Sequence, residues 1–335
     1  MNELDYEVVF NVLVDELEDY LLNNNLKAMI LGISGGIDST VVAAICHEVS
    51  KRTRIPLIGR SLPIKNKKDE FDVSKLVGEA FCNEFKVYAL NRSYQAALLD
   101  ACMDAGDANA SNSYFLEELE EMPSRTPIAN GNLQARCRMQ HLYDLASRNK
   151  GLVMSTDNQT EYQLGFWTIH GDVGDYDPIQ DLWKTEVYEL ANYLFYKYDM
   201  KVKAASMLHG KESKECKDAI ARAKAIHESR KLVPTDGLGI SNSDLDQIGA
   251  KDYATVDDIL SRFIPFENFR KSYDSAGQMM HPHDQMAESD CWSQLCDRHG
   301  EEVVNKVWDR HVASEFKRKK APIYIPRELY EQTSA

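Results

Sequence analysis

Basic residues are scarce: 39 Lys and Arg stand against 53 Asp and Glu in 335 residues, a formal net charge of −14. That deficit argues against a sequence-independent nucleic-acid binder, which depends on neutralising phosphates with Lys and Arg. No apolar stretch reaches the roughly 18 residues of a membrane span. The opening run MNELDYEVV also lacks the charged-then-apolar order of a secretory signal. The expectation is a cytoplasmic protein with neither nucleic acid nor membrane as partner. The 7 cysteines are odd in number and form no CxxC pair, which reads as scattered free thiols. His281, His283, Asp284 and Cys291 can be assembled into a zinc set on paper. Without a second tight ligand pair, an ordinary polar loop is the preferred reading.

With 43% hydrophobic residues the chain can bury a full core. Residues 4–22 place Phe10, Leu13, Val14, Leu17 and Leu21 on one helical face. Strands are predicted at 28–33, 55–60, 85–90 and 151–155, separated by helical patterns. That alternation predicts an α/β fold with a doubly wound parallel sheet flanked by helices. Further helices are predicted at 132–148, 184–198, 254–264 and 300–316. The whole chain, 1–335, reads as a single domain with its core in about 1–200, a mobile loop region at about 200–245 and a helical part at 250–335. Residues 200–243 and 268–290 lack a clean pattern and are expected to be long, mobile or partly helical segments. The basic run 51–68 is expected to be a solvated surface.

The most informative stretch is SGGIDS, Ser34 to Ser39, between an apolar strand and a helical pattern. Gly35 and Gly36 permit a tight turn that aims amide N–H groups and a helix N-terminus at one anion. Ser34, Ser39 and Thr40 add hydroxyl donors, and Asp38 can hold a divalent cation against phosphates. A Walker A loop is excluded because no Lys follows the glycines. Gly32, Ser34 and Gly36 also satisfy GxSxG, so a serine hydrolase with Ser34 as nucleophile stays open at this point. A non-catalytic nucleotide-binding module stays open as well. SGGIDS resembles the PP-loop of the ATP pyrophosphatases, which cleave ATP to AMP and pyrophosphate to adenylate a substrate.

Two later blocks narrow the substrate: NGNLQARCRMQ at 130–140 and GLVMSTDNQTEYQLGFWTIHGDVGDYDPIQDLWKTEVYEL at 151–190. Together with SGGIDST they resemble the NAD synthetase family, in matching order and spacing, over about residues 1–200. The resemblance implies the PP-loop, adenine-nucleotide α-hydrolase-like fold. It implies ATP-dependent amidation of deamido-NAD by ammonia through an acyl-adenylate, with Mg²⁺ as cofactor and a homodimer as the assembly. It also implies ATP contacts from Gly32, Ile33, Ser34, Gly35, Gly36, Ile37, Asp38, Ser39, Thr156, Lys184 and Thr235. The magnesium ligands it implies are Asp38 and Glu161. Substrate contacts fall to Arg136, Asp175, Phe316 and Lys317, and catalytic roles to Asp38, Asp175 and Lys184, with Asp177 as the alternative to Asp175. Arg136 and Arg138 lie two apart on a helix and so cannot serve one site equally. This chain departs from the family pattern at Ile169, where some members carry Lys, and at Phe316, which replaces His; segments 200–233 and 268–300 are expanded.

Overall fold

The computed structural model describes residues 4–66, 68–232, 245, 248–267 and 290–318. Among them, four parallel strands form the sheet: β1 (Ala28–Gly32), β2 (Leu57–Ser61), β3 (Glu84–Val87) and β4 (Gly151–Val153), in the order β3-β2-β1-β4. Each strand matches a predicted one to within a few residues. The near-continuous apolar run of β1 divides by strand alternation. Met29 and Leu31 enter the core on one face, Ala28 and Ile30 that on the other.

The Met29 face packs against α1 (Tyr6–Asn23), α2 (Ile37–Thr53), α3 (Lys68–Phe81), α8 (Lys184–His209) and α9 (Lys214–Ser229). The Ile30 face packs against α4 (Asn91–Asp104), α5 (Leu116–Glu120) and α6 (Pro127–Asn149). A third cluster joins α7 (Gln159–Leu164) to α10 (Tyr253–Glu267), α11 (Asp290–His299) and α12 (Glu301–Ala313), which a short α13 (Glu315–Arg318) follows. Local signals set several boundaries. Thr126 caps α6 by accepting from Ala129 N–H, with Pro127 in the first turn, so α6 begins five residues earlier than its apolar pattern suggests.

One expectation sharpens and another changes. The described part of the segment predicted to be mobile or partly helical, 200–232, is the end of α8 and the whole of α9 folded back upon it. The buried face of α9 consists of Cys216, Ala219, Ala225, Ile226 and Ser229, mostly small residues that leave a faint apolar signal between lysines. Nor is the basic run uniformly solvated. Arg60 is 6% exposed on β2, with Nη2 donating to Glu84 Oε1 at 2.6 Å and Nη1 donating to Gly59 O at 2.9 Å. All seven cysteines are free thiols. Among the described residues no helix is long and apolar enough to cross a membrane.

The sheet reverses direction of growth at β1: β2 lies on one side and β4, reached much later in the chain, on the other. A ligand crevice opens at the carboxyl ends of strands on either side of such a switch. Here it is flanked by the SGGIDS loop after β1 and by Ser155 to Asp157 after β4. The outer edge of β4 is covered by the GDVGDYDP loop. Val153 N–H donates to Asp175 Oδ2 at 3.0 Å, and Asp175 N–H returns to Val153 O at 2.8 Å. Gly174 makes this approach possible, because a Cβ there would lie 2.6 Å from Val153 O and 2.8 Å from Ser155 N. Gly174→Ala is therefore expected to cost about 1–3 kcal/mol, seen as a lower urea midpoint at unchanged slope.

Candidate active site

The loop after β1 is built around Gly35, whose φ of +92° favours glycine and whose added Cβ would lie 2.8 Å from Ser74 N on α3. Ser39 Oγ and Thr40 Oγ1 both donate to Gly36 O, at 3.0 and 2.8 Å, and close the first turn of α2. Ser34 Oγ lies 3.0 Å from Ser39 Oγ and accepts from Gly36 N–H at 3.2 Å. No histidine hydrogen-bonds Ser34 among the described residues. The candidate partners for a hydrolase are engaged elsewhere: His299 Nε2 meets Asp258 Oδ2 at 2.8 Å, and His311 Nδ1 meets Gln163 O at 3.0 Å. Ser34 is thus exposed at a helix N-terminus without a general base, an arrangement suited to an anion rather than to attack on a carbonyl.

Three predicted residues from distant parts of the chain meet beside this loop. Lys184, at the start of α8 and 6% exposed, places Nζ 2.6 Å from Asp38 Oδ2 and 2.9 Å from Glu161 Oε1. Burial opposes the ammonium, but the two carboxylates outweigh it and hold Lys184 well above the usual lysine range. Asn158 fixes both acids. Its Nδ2 donates to Asp38 Oδ1 at 2.9 Å, and it shares a reciprocal capping box with Glu161 at the start of α7. Among the described residues no group of three His, Cys, Asp or Glu is arranged to hold a metal. Two hard carboxylates converging on one cation do fit Mg²⁺, provided that phosphate and water oxygens complete the shell.

Beyond this cluster the acids accumulate. Asp157 N–H donates to Asp177 Oδ2 at 3.1 Å, and Ser155 Oγ donates to Asp157 Oδ2 at 3.0 Å. Burial, then the charges of Asp172, Asp177 and Glu161, push Asp157 well above the usual carboxylate range. Burial likewise raises Asp177 to about 7, with Asp38 adding to the shift. A cavity of about 240 Å³ lies alongside, walled by Gly32, Ile33 and Ser34 on one side and by Arg138, Leu142 and Thr156 on the other.

The remaining candidates lie apart from Lys184. Asp175 is exposed, held by Val153 N–H and by Tyr143 Oη at 3.1 Å. Asp177, two residues on, is near enough to Asp38 to feel its charge. Arg136 is also exposed, its Nε donating to Ile169 O at 3.3 Å. Arg138 is the one that lines the cavity, donating from Nε to Leu62 O at 3.1 Å. Phe316 is 55% exposed, whereas Lys317 Nζ donates to Gly165 O at 2.7 Å and to Trp167 O. Thr235, and His281, His283 and Asp284 of the paper zinc set, lie outside the described residues. Asp157, Asn158, Asp257 and Tyr253 belong to the site or its support without having been singled out. The N-x-x-E spacing of Asn158 and Glu161 is the one plain signal among them.

Residues 9–321 match the sequence profile of the family described as NAD synthase. The chain belongs to that family. It is 31% identical over 192 residues to the NH(3)-dependent NAD(+) synthetase of Campylobacter jejuni, covering 57% of this chain and 69% of that one. It is also 31% identical over 195 residues to the glutamine-dependent NAD(+) synthetase of Aquifex aeolicus, covering 57% of this chain and 31% of that one. The solved NMN synthetase of Francisella tularensis aligns with 97% of this chain and 100% of its own, with a TM-score of 0.63 and 22% identity, a likeness of fold. The fold is that of the NAD synthetases, the chain is an enzyme of NAD synthesis, and its family uses ATP as co-substrate.

The acid cluster sets a pH dependence of stability. A carboxyl whose folded pKa exceeds its unfolded value binds more protons when folded, so stability is lost as pH rises through that interval. Asp157→Asn keeps an acceptor for Ser155 and removes the charge. Its Tm should exceed that of the parent at pH 8, and the gap should close toward pH 5, as measured by calorimetry.

Proposed function

We propose that this site makes NAD from deamido-NAD, ATP and ammonia through a nicotinyl adenylate. The observation that carries the reading is the Lys184 ammonium between Asp38 and Glu161 at the mouth of an anion-binding loop. In the first half-reaction a nicotinate carboxylate oxygen attacks the α-phosphorus, and the bond to the β-phosphate oxygen breaks. The loop from Ser34 to Ser39 receives the departing pyrophosphate, and Lys184 offsets the charge that develops at the α-phosphate. Mg²⁺, when bound by Asp38 and Glu161, supplies charge neutralisation along the triphosphate. The cavity beside Gly32 and Thr156 accommodates the nucleoside.

In the second half-reaction ammonia attacks the acyl carbon, and AMP leaves. Ammonium must first lose a proton, and Asp177, raised to about 7, has suitable basicity beside the cluster. Asp175 and Arg136, exposed near Tyr143 and Ile169, are assigned to the dinucleotide, and so are Phe316 and Lys317. A homodimer places a second copy where these surface groups can enclose that substrate. The attacking species is ammonia whether it is supplied free or released from glutamine elsewhere.

The decisive assay combines protein, Mg-ATP, deamido-NAD and ammonium and follows AMP and NAD. Parallel reactions replace ammonium by glutamine, or deamido-NAD by the deamidated mononucleotide. NAD formed with ammonium is the expected result. Amide formed only on the mononucleotide would reassign the substrate, and product formed only with glutamine would reassign the nitrogen source. Asp38→Asn should reduce pyrophosphate release by about 100-fold or more while leaving circular dichroism unchanged. Light scattering should give twice the chain mass.

A further inference from the structure

Lys184 and Glu161 depend on a second layer of contacts supplied by a distant part of the chain. Asp257, on α10 of the third cluster, is 0% exposed. Its Oδ1 accepts from Thr160 Oγ1 at 2.5 Å and its Oδ2 accepts from Thr185 N–H at 3.0 Å. Having donated its proton to Asp257, Thr160 Oγ1 accepts from Lys184 N–H at 2.9 Å. One buried carboxylate therefore binds the first turn of α7 and Thr185 in the first turn of α8 directly, and Lys184 N–H through Thr160. These two turns carry Glu161 and Lys184. One helical turn before Asp257, the Tyr253 ring lies 5.5 Å from Lys184 Nζ.

We infer that Asp257, acting through Thr160, is a positioning residue that holds Lys184 and Glu161 in register with Asp38. The inference rests on the proposed role of Lys184 in NAD formation. The carboxylate is chemically required, because it presents two acceptors to two donors that face it from different helices, and an amide has only one acceptor to offer. A hydroxyl at position 160 is equally required, because a single atom must donate to Asp257 and accept from Lys184 N–H. No other chemistry at these positions satisfies both bonds in a buried setting, and a lost partner there leaves an unpaired polar group. The C-terminal helices thereby become part of the reaction centre.

The test compares Thr160→Val, which keeps shape and removes the hydroxyl, with Thr160→Ser, which keeps the hydroxyl, and with Asp257→Asn. Thr160→Val and Asp257→Asn should each lower kcat by about tenfold or more with KM for ATP changed far less, and Thr160→Ser should restore most of the rate. The double variant Thr160→Val/Asp257→Asn should be no slower than either single one, since both break one chain of bonds. A purely structural role would lower Tm and leave kcat per folded enzyme, measured well below Tm, at the parental value in Thr160→Val and Asp257→Asn, and that outcome overturns the inference.

A readout independent of turnover separates this inference from the assigned reaction. Reductive methylation of Lys184, followed by mass spectrometry, should be slow in the parent and several-fold faster in Asp257→Asn. Equal rates would overturn the clamp even if NAD is made, and an accelerated rate would support it even if the true substrate differs. Should Thr160→Val fail to fold, Asp257→Asn against Thr160→Ser carries the same comparison.

Discussion

A lysine ammonium buried against two carboxylates is the constraint on which the site depends. Lys184 begins α8, where the helix dipole disfavours positive charge, and it lies almost wholly out of water. Alone it would lose its proton or unfold the turn. Asp38, in the first turn of α2, and Glu161, in the first turn of α7, make the charge tolerable, and their own positions suit acids at helix N-termini. The three side chains therefore stabilise one another, and removing Lys184 leaves two carboxylates uncompensated in a poorly solvated place. Because α2 follows β1 and α7 follows β4, this cluster also joins the two strands on either side of the crevice. Packing of the sheet and placement of the reacting charges are the same problem in this protein.

The surplus of acid around that lysine gives the site its chemical bias. Asp38, Asp157, Glu161 and Asp177 outnumber the single buried cation, so the arrangement favours further positive charge. Magnesium carried on a triphosphate meets that demand, and so does ammonium. At the same time the N-terminus of α2 and the hydroxyls of the Ser34 to Ser39 loop favour anions a few residues away. A magnesium-bound nucleotide, positive at the metal and negative along its phosphates, is complementary to both halves at once.

Much of this was legible in the sequence where the physics is local. The apolar run before Ser34, the glycines, and the helical face that follows specify a strand, a turn and a helix within about twenty residues. The strands after Thr53 and Lys150 show the same apolar signal. Legibility ends where a residue answers to something distant. Arg60 reads as part of a solvated basic run, yet it is buried because Glu84 lies on the neighbouring strand. The helix α9 is hidden because its buried face is built mostly from small residues, with Ile226 the one large apolar side chain. Asp257 is the instructive miss: it shares an apolar helical face with Val256 and Leu260, and an acid there is a sign of a buried partner on another element. Arg136 and Arg138 show the limit in the other direction, since helical spacing separates them around the axis without saying which one turns inward.

The loop bearing Asp175 has a consequence for how copies of the chain can meet. β4 is an edge strand, and an open edge offers unpaired N–H and C=O groups to any extended segment that drifts past. Here the Asp175 side chain and backbone occupy both bonding groups of Val153, and the Met154 to Tyr176 bridge extends the seal. Strand addition at this position is closed to a passing chain. On this side of the sheet a partner can engage only through side chains, which can be matched to one sequence, and not through backbone pairing, which accepts nearly any.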